Sequence, residues 1–273
     1  MCARAHREID EVFWRAFFPL YRLSHMRIEN LKGGYAFLRG ISPYSAGVVA
    51  SRGFEIEHVR LASPLPVKTG FDAIAAYLRR LNRPRQALCA IELRSPRPFT
   101  FRGFSEFNAG YVAILKSWEI LLDGVNPVAR TNVAPEVHPP PEPMLYGFSI
   151  AVPSQISAPA FVVAGAGELP EGSLDPHDVI RRGETSADAL REKARFVMGL
   201  MSSRLAGLGA AWPDVTAIDI YTVHDIHPFL ASEILARVGE AARLGVHWHF
   251  TRPPIESIEY EMDLRGCRRE VIL

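Results

Sequence analysis

Apolar and polar positions along the chain alternate between a helical and an extended period, in an order that repeats. Residues 70–81 place Phe71, Ile74, Ala75 and Leu78 on one face. Residues 184–205 place Ala187, Leu190, Ala194, Val197, Met201 and Leu205 at three- and four-residue steps. Apolar side chains at that spacing form a stripe that faces a core, so both segments are expected as amphipathic helices. Thr185 or Ser186 is placed to cap the second, and Gly207 and Gly209 to end it.

A strand-like run follows each helix, at 87–93 (ALCAIEL) and 215–223 (VTAIDIYTV). The second is rich in β-branched residues with partial alternation. Further helical segments follow at 104–118 and 228–242, then closing strands at 145–152 (LYGFSIAV) and 258–264 (IEYEMDL). An apolar strand ending in a proline turn precedes each first helix, at 58–66 and 161–170. The order strand, helix, strand, helix, strand thus occurs twice, with a period of roughly 110–120 residues, too long for a solenoid and suggestive of a tandem duplication. Residues 137–143 (VHPPPEP) are expected as a loop before the last strand of the first half. The expected organisation is an N-terminal extension over 1–25, a first domain over 26–150 and a second over 151–273.

Composition narrows the partners. Of 273 residues, 48% are apolar and 22% charged, which excludes a wholly disordered or collagen-like chain. Lys and Arg total 31 against 30 Asp and Glu, a formal charge of +1. Nothing in that balance favours nucleic acid or an anionic membrane. No uncharged apolar stretch approaches the length of a membrane span. Cys2, Cys89 and Cys267 are too scattered for a disulfide framework or a zinc finger, and Cys89 reads as a core residue. Residues 1–25 carry a basic start and an apolar patch interrupted by Arg15. A docked helix and a true start at Met26 both fit that pattern; a signal peptide fits it poorly, since Arg15 breaks the apolar run and no A-x-A cleavage site follows, and cytoplasmic is the default.

Several short motifs, in order, resemble the Rid (YjgF-like, reactive intermediate deaminase) superfamily. The first half has Ile41-Ser42-Pro43-Tyr44-Ser45, then residues 104–111 (FSEFNAGY), then Pro127-Val128-Ala129-Arg130-Thr131. The second half has residues 164–170 (AGAGELP) and the closing Ile258-Glu259-Tyr260-Glu261. The resemblance implies an α+β fold of two tandem Rid-like (chorismate-mutase-like) domains, each a mixed β-sheet with two helices packed on one face. It implies a homotrimer with sites in clefts between domains, and no cofactor. The implied activity is hydrolytic deamination of an enamine- or imine-forming acid of the 2-aminomuconate or 2-aminoacrylate kind. The partner is then a small carboxylate-bearing metabolite.

The resemblance also assigns roles. Arg130 would hold the substrate carboxylate, which a planar guanidinium does through two charge-assisted hydrogen bonds. Glu259 would activate water, work that a carboxylate can do. Tyr44 and Asn108 would hydrogen-bond substrate or water, and Ser63 would stand in for the serine that is Ala62 here. The first half lacks the closing acid and the second has Leu244 in place of the arginine, so the expected site is composite. Other readings of the same residues stand beside these. Glu259 and Glu261 alternate with Ile258 and Tyr260 as in a strand with one solvated face, and Tyr44 fits a packed aromatic. His247 and His249 share one strand face, but no third ligand has a recognised metal spacing; they are read as lining a pocket, where His247 or His249 could relay protons, or as hydrogen-bonded in the sheet. The departures from the family pattern leave two further functions open, a non-catalytic carboxylate-binding protein and a chorismatase-like hydrolase.

Overall fold

The two strongest helical stripes become helices within a few residues of their expected bounds. In the computed structural model, which describes residues 27–273, α1 spans Val67–Arg80, α2 Phe101–Ser117 and α3 Ala187–Leu208. The expectations for residues 1–25 and for a start at Met26 lie outside the described residues. Ser186 caps α3 by accepting a hydrogen bond from the Ala189 N–H, and Gly209 ends it in the left-handed region at φ 73°. Thr100 caps α2 in the same way through Gly103 N–H. The fourth helical segment, residues 227–244, is irregular, passing through α, π and 3-10 turns around Gly239.

Thirteen strands are described: β1 (Arg27–Asn30), β2 (Tyr35–Leu38), β3 (Gly47–Ala50), β4 (Phe54–Pro66), β5 (Leu88–Arg94), β6 (Ala129–Pro135), β7 (Met144–Pro153), β8 (Phe161–Gly167), β9 (Ala217–Tyr221), β10 (His247–His249), β11 (Thr251–Arg252), β12 (Glu261–Gly266) and β13 (Arg269–Ile272). They form a seven-stranded sheet, β1-β2-β3-β8-β12-β9-β10, and a six-stranded sheet, β11-β6-β5-β7-β4-β13. Helix α3 and residues 227–244 bury their apolar faces on the first sheet. Helices α1 and α2 cover the second. The inner faces of the two sheets meet through small residues such as Ala90, Ala129, Ala151 and Ala164.

This arrangement corrects the expected fold of two small, self-contained two-helix domains. The sheets are larger, at seven and six strands, and they trade strands along the chain. Strands β1–β3, early in the sequence, extend the sheet of β8, β12 and β9. Strands β11 and β13, late in the sequence, pair with β6 and β4. Short edge strands of two to four residues carry too few alternations to register as strands in sequence. No described helix is long and apolar enough to cross a membrane.

Candidate active site

Two sequence motifs are clamped together to build one wall of a cavity. Ser45 N–H donates to the Val128 carbonyl (2.9 Å), Ser45 Oγ to the Pro127 carbonyl (3.0 Å), and Asn126 Nδ2 to the Pro43 carbonyl (2.7 Å). The clamp lays Tyr44 against Arg130, whose Cζ lies 4.8 Å from the Tyr44 ring centroid. Helix α2 supplies the other rings. Its buried face carries Phe104, Asn108 and Tyr111 at helical steps. The guanidinium lies 4.8 Å from the Tyr111 ring, 5.4 Å from Phe104 and 5.8 Å from Phe107. Such distances are within cation–π range.

Arg130 itself is 3% exposed, and neither terminal nitrogen has a hydrogen-bond partner among the described residues. A buried guanidinium without hydrogen-bond partners is costly, and an anion reaching it from the cavity it lines would relieve that cost. Burial draws its pKa below the usual arginine value, against the opposing pull of Tyr111, Tyr44 and Glu261. Burial likewise raises the Tyr44 hydroxyl, with Arg130 opposing.

The acid across the cavity is Glu261, the first residue of β12. It is 4% exposed, and burial, then the nearby Asp263 and Glu168 carboxylates, hold its pKa well above the ordinary glutamate range. A carboxyl shifted that way holds its proton to higher pH than an ordinary glutamate, which suits a proton donor. Gly165 on β8 makes room for it, because a Cβ there would collide with Glu261 Oε1. The backbone before Glu261 is fixed by Glu168, which accepts from Glu259 N–H (2.7 Å) and Tyr260 N–H (3.0 Å) and pairs with the fully buried Lys193 at 2.9 Å.

A second arginine lines the same cavity. Arg204, near the C-terminal end of α3, donates from Nε and Nη2 to the two oxygens of Glu171 (3.0 and 2.9 Å) and from Nη1 to the Ala164 carbonyl (2.9 Å). Neither residue was singled out by the sequence. Asn132, two residues after Arg130, also lines the cavity and accepts from Ser95 Oγ at 2.9 Å.

Behind the cavity, a charged stripe on β12 runs between the sheets. Arg265 Nη1 lies 3.3 Å from Glu92, 3.0 Å from Asp219 and 3.8 Å from Asp263. Asp263 accepts from Thr131 Oγ1 (2.6 Å) and Tyr221 OH (2.9 Å). Burial works to raise Asp219, but Arg265 and the hydrogen bonds from His247 and His249 outweigh it and hold the carboxyl well below its usual range.

The sequence-derived site is therefore only partly assembled. Arg130 and Tyr44 line the cavity. Asn108 is buried with Oδ1 unpartnered among the described residues, and it lines the neighbouring cavity with Ser42 and Pro43. Glu259 is not the acid facing Arg130: its carboxylate turns to His224 Nε2 at 2.9 Å. The chain bends at Ser257, at φ 73°, and β12 begins only at Glu261, so strand parity does not extend back to Glu259. Ser63 is exposed on β4 and does not line the cavity. His247 sits on the outermost strand, β10, 3.2 Å from Asp219 and away from the cavity. Among the described residues no group of three His, Cys, Asp or Glu side chains is arranged to hold a metal ion.

Comparison with known proteins places the chain among relatives. A family model for the 2-aminomuconate deaminase CnbZ matches residues 27–271. A 2-amino-5-chloromuconate deaminase from Comamonas testosteroni is 44% identical over 244 residues, covering 88% of this chain and 96% of the relative. Among solved structures, a chorismatase aligns with a TM-score of 0.48 at 12% identity, over 87% of this chain and 78% of that one. A cyanuric acid hydrolase aligns with a TM-score of 0.39 at 9% identity, over 78% and 67%. The family match corrects the expected membership of the Rid superfamily, and with it the reading as a tandem-duplicated Rid protein: one family model runs through both halves. The motifs around Tyr44 and Arg130 are the two that form the clamp. With the match running from residue 27 to residue 271, this chain belongs to the 2-aminomuconate deaminase CnbZ family.

Proposed function

We propose that this chain is a hydrolytic deaminase of 2-aminomuconate-type acids, with Arg130 anchoring a substrate carboxylate and Glu261 moving the protons. The observation that carries this reading is the pair of partnerless, buried donors on Arg130, set in an aromatic surround and facing a buried acid. A carboxylate presented to that fork gains two charge-assisted hydrogen bonds in a dry site.

The proton chemistry follows from the state of Glu261. The substrate is an enamine, with its amino group on C2 of a conjugated acid. Protonated Glu261 donates to a carbon of the enamine, giving a C2 iminium and a Glu261 carboxylate. Water adds to C2, and the carboxylate takes the proton that water releases. Collapse of the carbinolamine expels ammonia and leaves the 2-oxo acid. One water is consumed, one ammonia is released, and Glu261 ends protonated. Tyr44 and the α2 rings exclude bulk water from the carboxylate end, which strengthens the ion pair there.

The test is ammonia release from 2-aminomuconate by the wild type and by Arg130→Met. Loss of the anchor should raise KM by at least about tenfold, the weight of one charge-assisted pair. Unchanged KM and kcat in the variant would remove Arg130 from the reading.

A further inference from the structure

We infer that Arg204 reads the second carboxylate of a dicarboxylate substrate, and that Glu171 occupies that carboxylate's place until the substrate displaces it. The inference rests on the reading of Arg130 as the anchor for the first carboxylate. Arg204 and Glu171 form a two-pronged pair, Nε to Oε2 and Nη2 to Oε1, at 3.0 and 2.9 Å. That is the geometry with which arginine binds any carboxylate, from a side chain or from a ligand. Both residues line the cavity that holds Arg130 and Glu261.

The two halves of the pair are held differently. Arg204 belongs to the 22-residue helix α3, is 7% exposed at its side chain, and is fixed further by its bond to the Ala164 carbonyl. Glu171 lies after β8 in irregular chain, between Pro170 and Gly172, the latter at φ 83°, and its side chain is 24% exposed. The cation is the fixed member and the carboxylate the movable one. An incoming carboxylate can take over both hydrogen bonds, so Arg204 loses nothing in the exchange while Glu171 regains water.

Charge points the same way. Arg130 and Arg204 line the cavity together with Glu171 and Glu261, and burial favours the neutral form of Glu261. Moving Glu171 out leaves the two arginines with the cation excess that a ligand with two carboxylates neutralises. A muconate-type acid carries a carboxylate at each end of a six-carbon diene. A monocarboxylate of the same length satisfies Arg130 alone and leaves Glu171 on Arg204.

Two unreactive dienes separate these cases: trans,trans-muconate, with two carboxylates, and sorbate, with one. Each is titrated calorimetrically into the full chain as wild type, Glu171→Gln, Arg204→Gln and Arg130→Met. Arg204→Gln should weaken muconate by about tenfold or more and sorbate by less than about twofold, the cost of one charge-assisted pair. Glu171→Gln removes the competing anion without touching Arg204, and should tighten muconate several-fold with sorbate unchanged; it also serves if Arg204→Gln does not fold. An unaltered muconate-to-sorbate ratio in both variants, with Arg130→Met still weakening both ligands, overturns the role of Arg204 and Glu171 and leaves the Arg130 anchor standing. Unchanged binding of both ligands to Arg130→Met overturns the anchor, and this inference with it.

Discussion

Glu261 fits in the site because Gly165, on the neighbouring strand, has no side chain: a methyl group there would run into Oε1 of the carboxyl and press on Thr131 at 3.2 Å. Gly165→Ala is therefore expected to push the carboxyl off its position. Overpacking of this size costs about 1–3 kcal/mol of stability. The loss in kcat should exceed it, at tenfold or more, since proton transfer depends on sub-ångström placement. Steady-state kinetics with a thermal melt separates the two. A variant that loses stability but keeps kcat contradicts the placement of Glu261.

The state of Glu261 gives a stability prediction whose sign can be worked out. Its folded pKa lies well above the ordinary value because of burial and two neighbouring carboxylates. Below the unfolded pKa both states hold the proton and the group costs nothing. As pH rises, the unfolded chain gains by ionising while the folded one does not, and stability falls. Glu261→Gln cannot ionise in either state. It should leave the melting temperature near that of the wild type around pH 4 and raise it by a few degrees near pH 8, where each kcal/mol is worth about 2–4 °C. Equal shifts at both pH values would argue against a protonated Glu261.

Arg265 is the cation shared by Glu92, Asp219 and Asp263 between the sheets. Burial favours the protonated forms of Glu92 and Asp219. For Glu92, His58 and Arg265 overcome it; for Asp219, Arg265 with His247 and His249 does. Removing one member of such a cluster costs about 3–5 kcal/mol. Depressed carboxylates stabilise the fold above their unfolded pKa and lose that contribution as pH falls. In Arg265→Met burial acts on these carboxyls without that cation, so they take up protons at higher pH than in the wild type; the variant should be most destabilised at pH 7, with the difference from wild type shrinking toward pH 4. Thermal melts across that range check it, and a pH-independent difference would count against the cluster's role.

Lys193 and Glu168 are both fully buried and paired. Lys193→Met leaves Glu168 uncompensated while it still holds the backbone before Glu261, and should cost about 3–5 kcal/mol. Adding Glu168→Gln should recover a large part. A double-mutant cycle by chemical denaturation measures the coupling, and additive losses would show that the pair is not one unit.

Much of this was legible in the chain. The stripe of α3, its Ser186 cap and its Gly209 stop are local, and local signals decide them. Arg130 and Tyr44 were legible because their motifs are short and contiguous. The acid was not. IEYEMDLRG alternates, and alternation reports a period of two without saying what the polar face meets. Here that face, Glu261, Asp263 and Arg265, meets a second sheet and not water. Asp219 within an apolar run, and Lys193 and Arg204 on the apolar side of α3, were the available signals, since a charge on a core-facing position requires a buried partner. Their partners Glu168, Glu171 and Arg265 are distant in sequence, so no spacing rule reaches them.

The most direct test of the account is a comparison of Glu261→Gln with Glu259→Gln in ammonia release from 2-aminomuconate. The two glutamates are two residues apart, but one faces Arg130 across the cavity and the other pairs with His224. Loss of the proton donor should lower kcat by about 100-fold or more in Glu261→Gln, while Glu259→Gln stays within about threefold of the wild type, the range expected of a partly exposed ion pair. A Glu261→Gln enzyme with wild-type kcat, or a Glu259→Gln enzyme that is the inactive one, would contradict it.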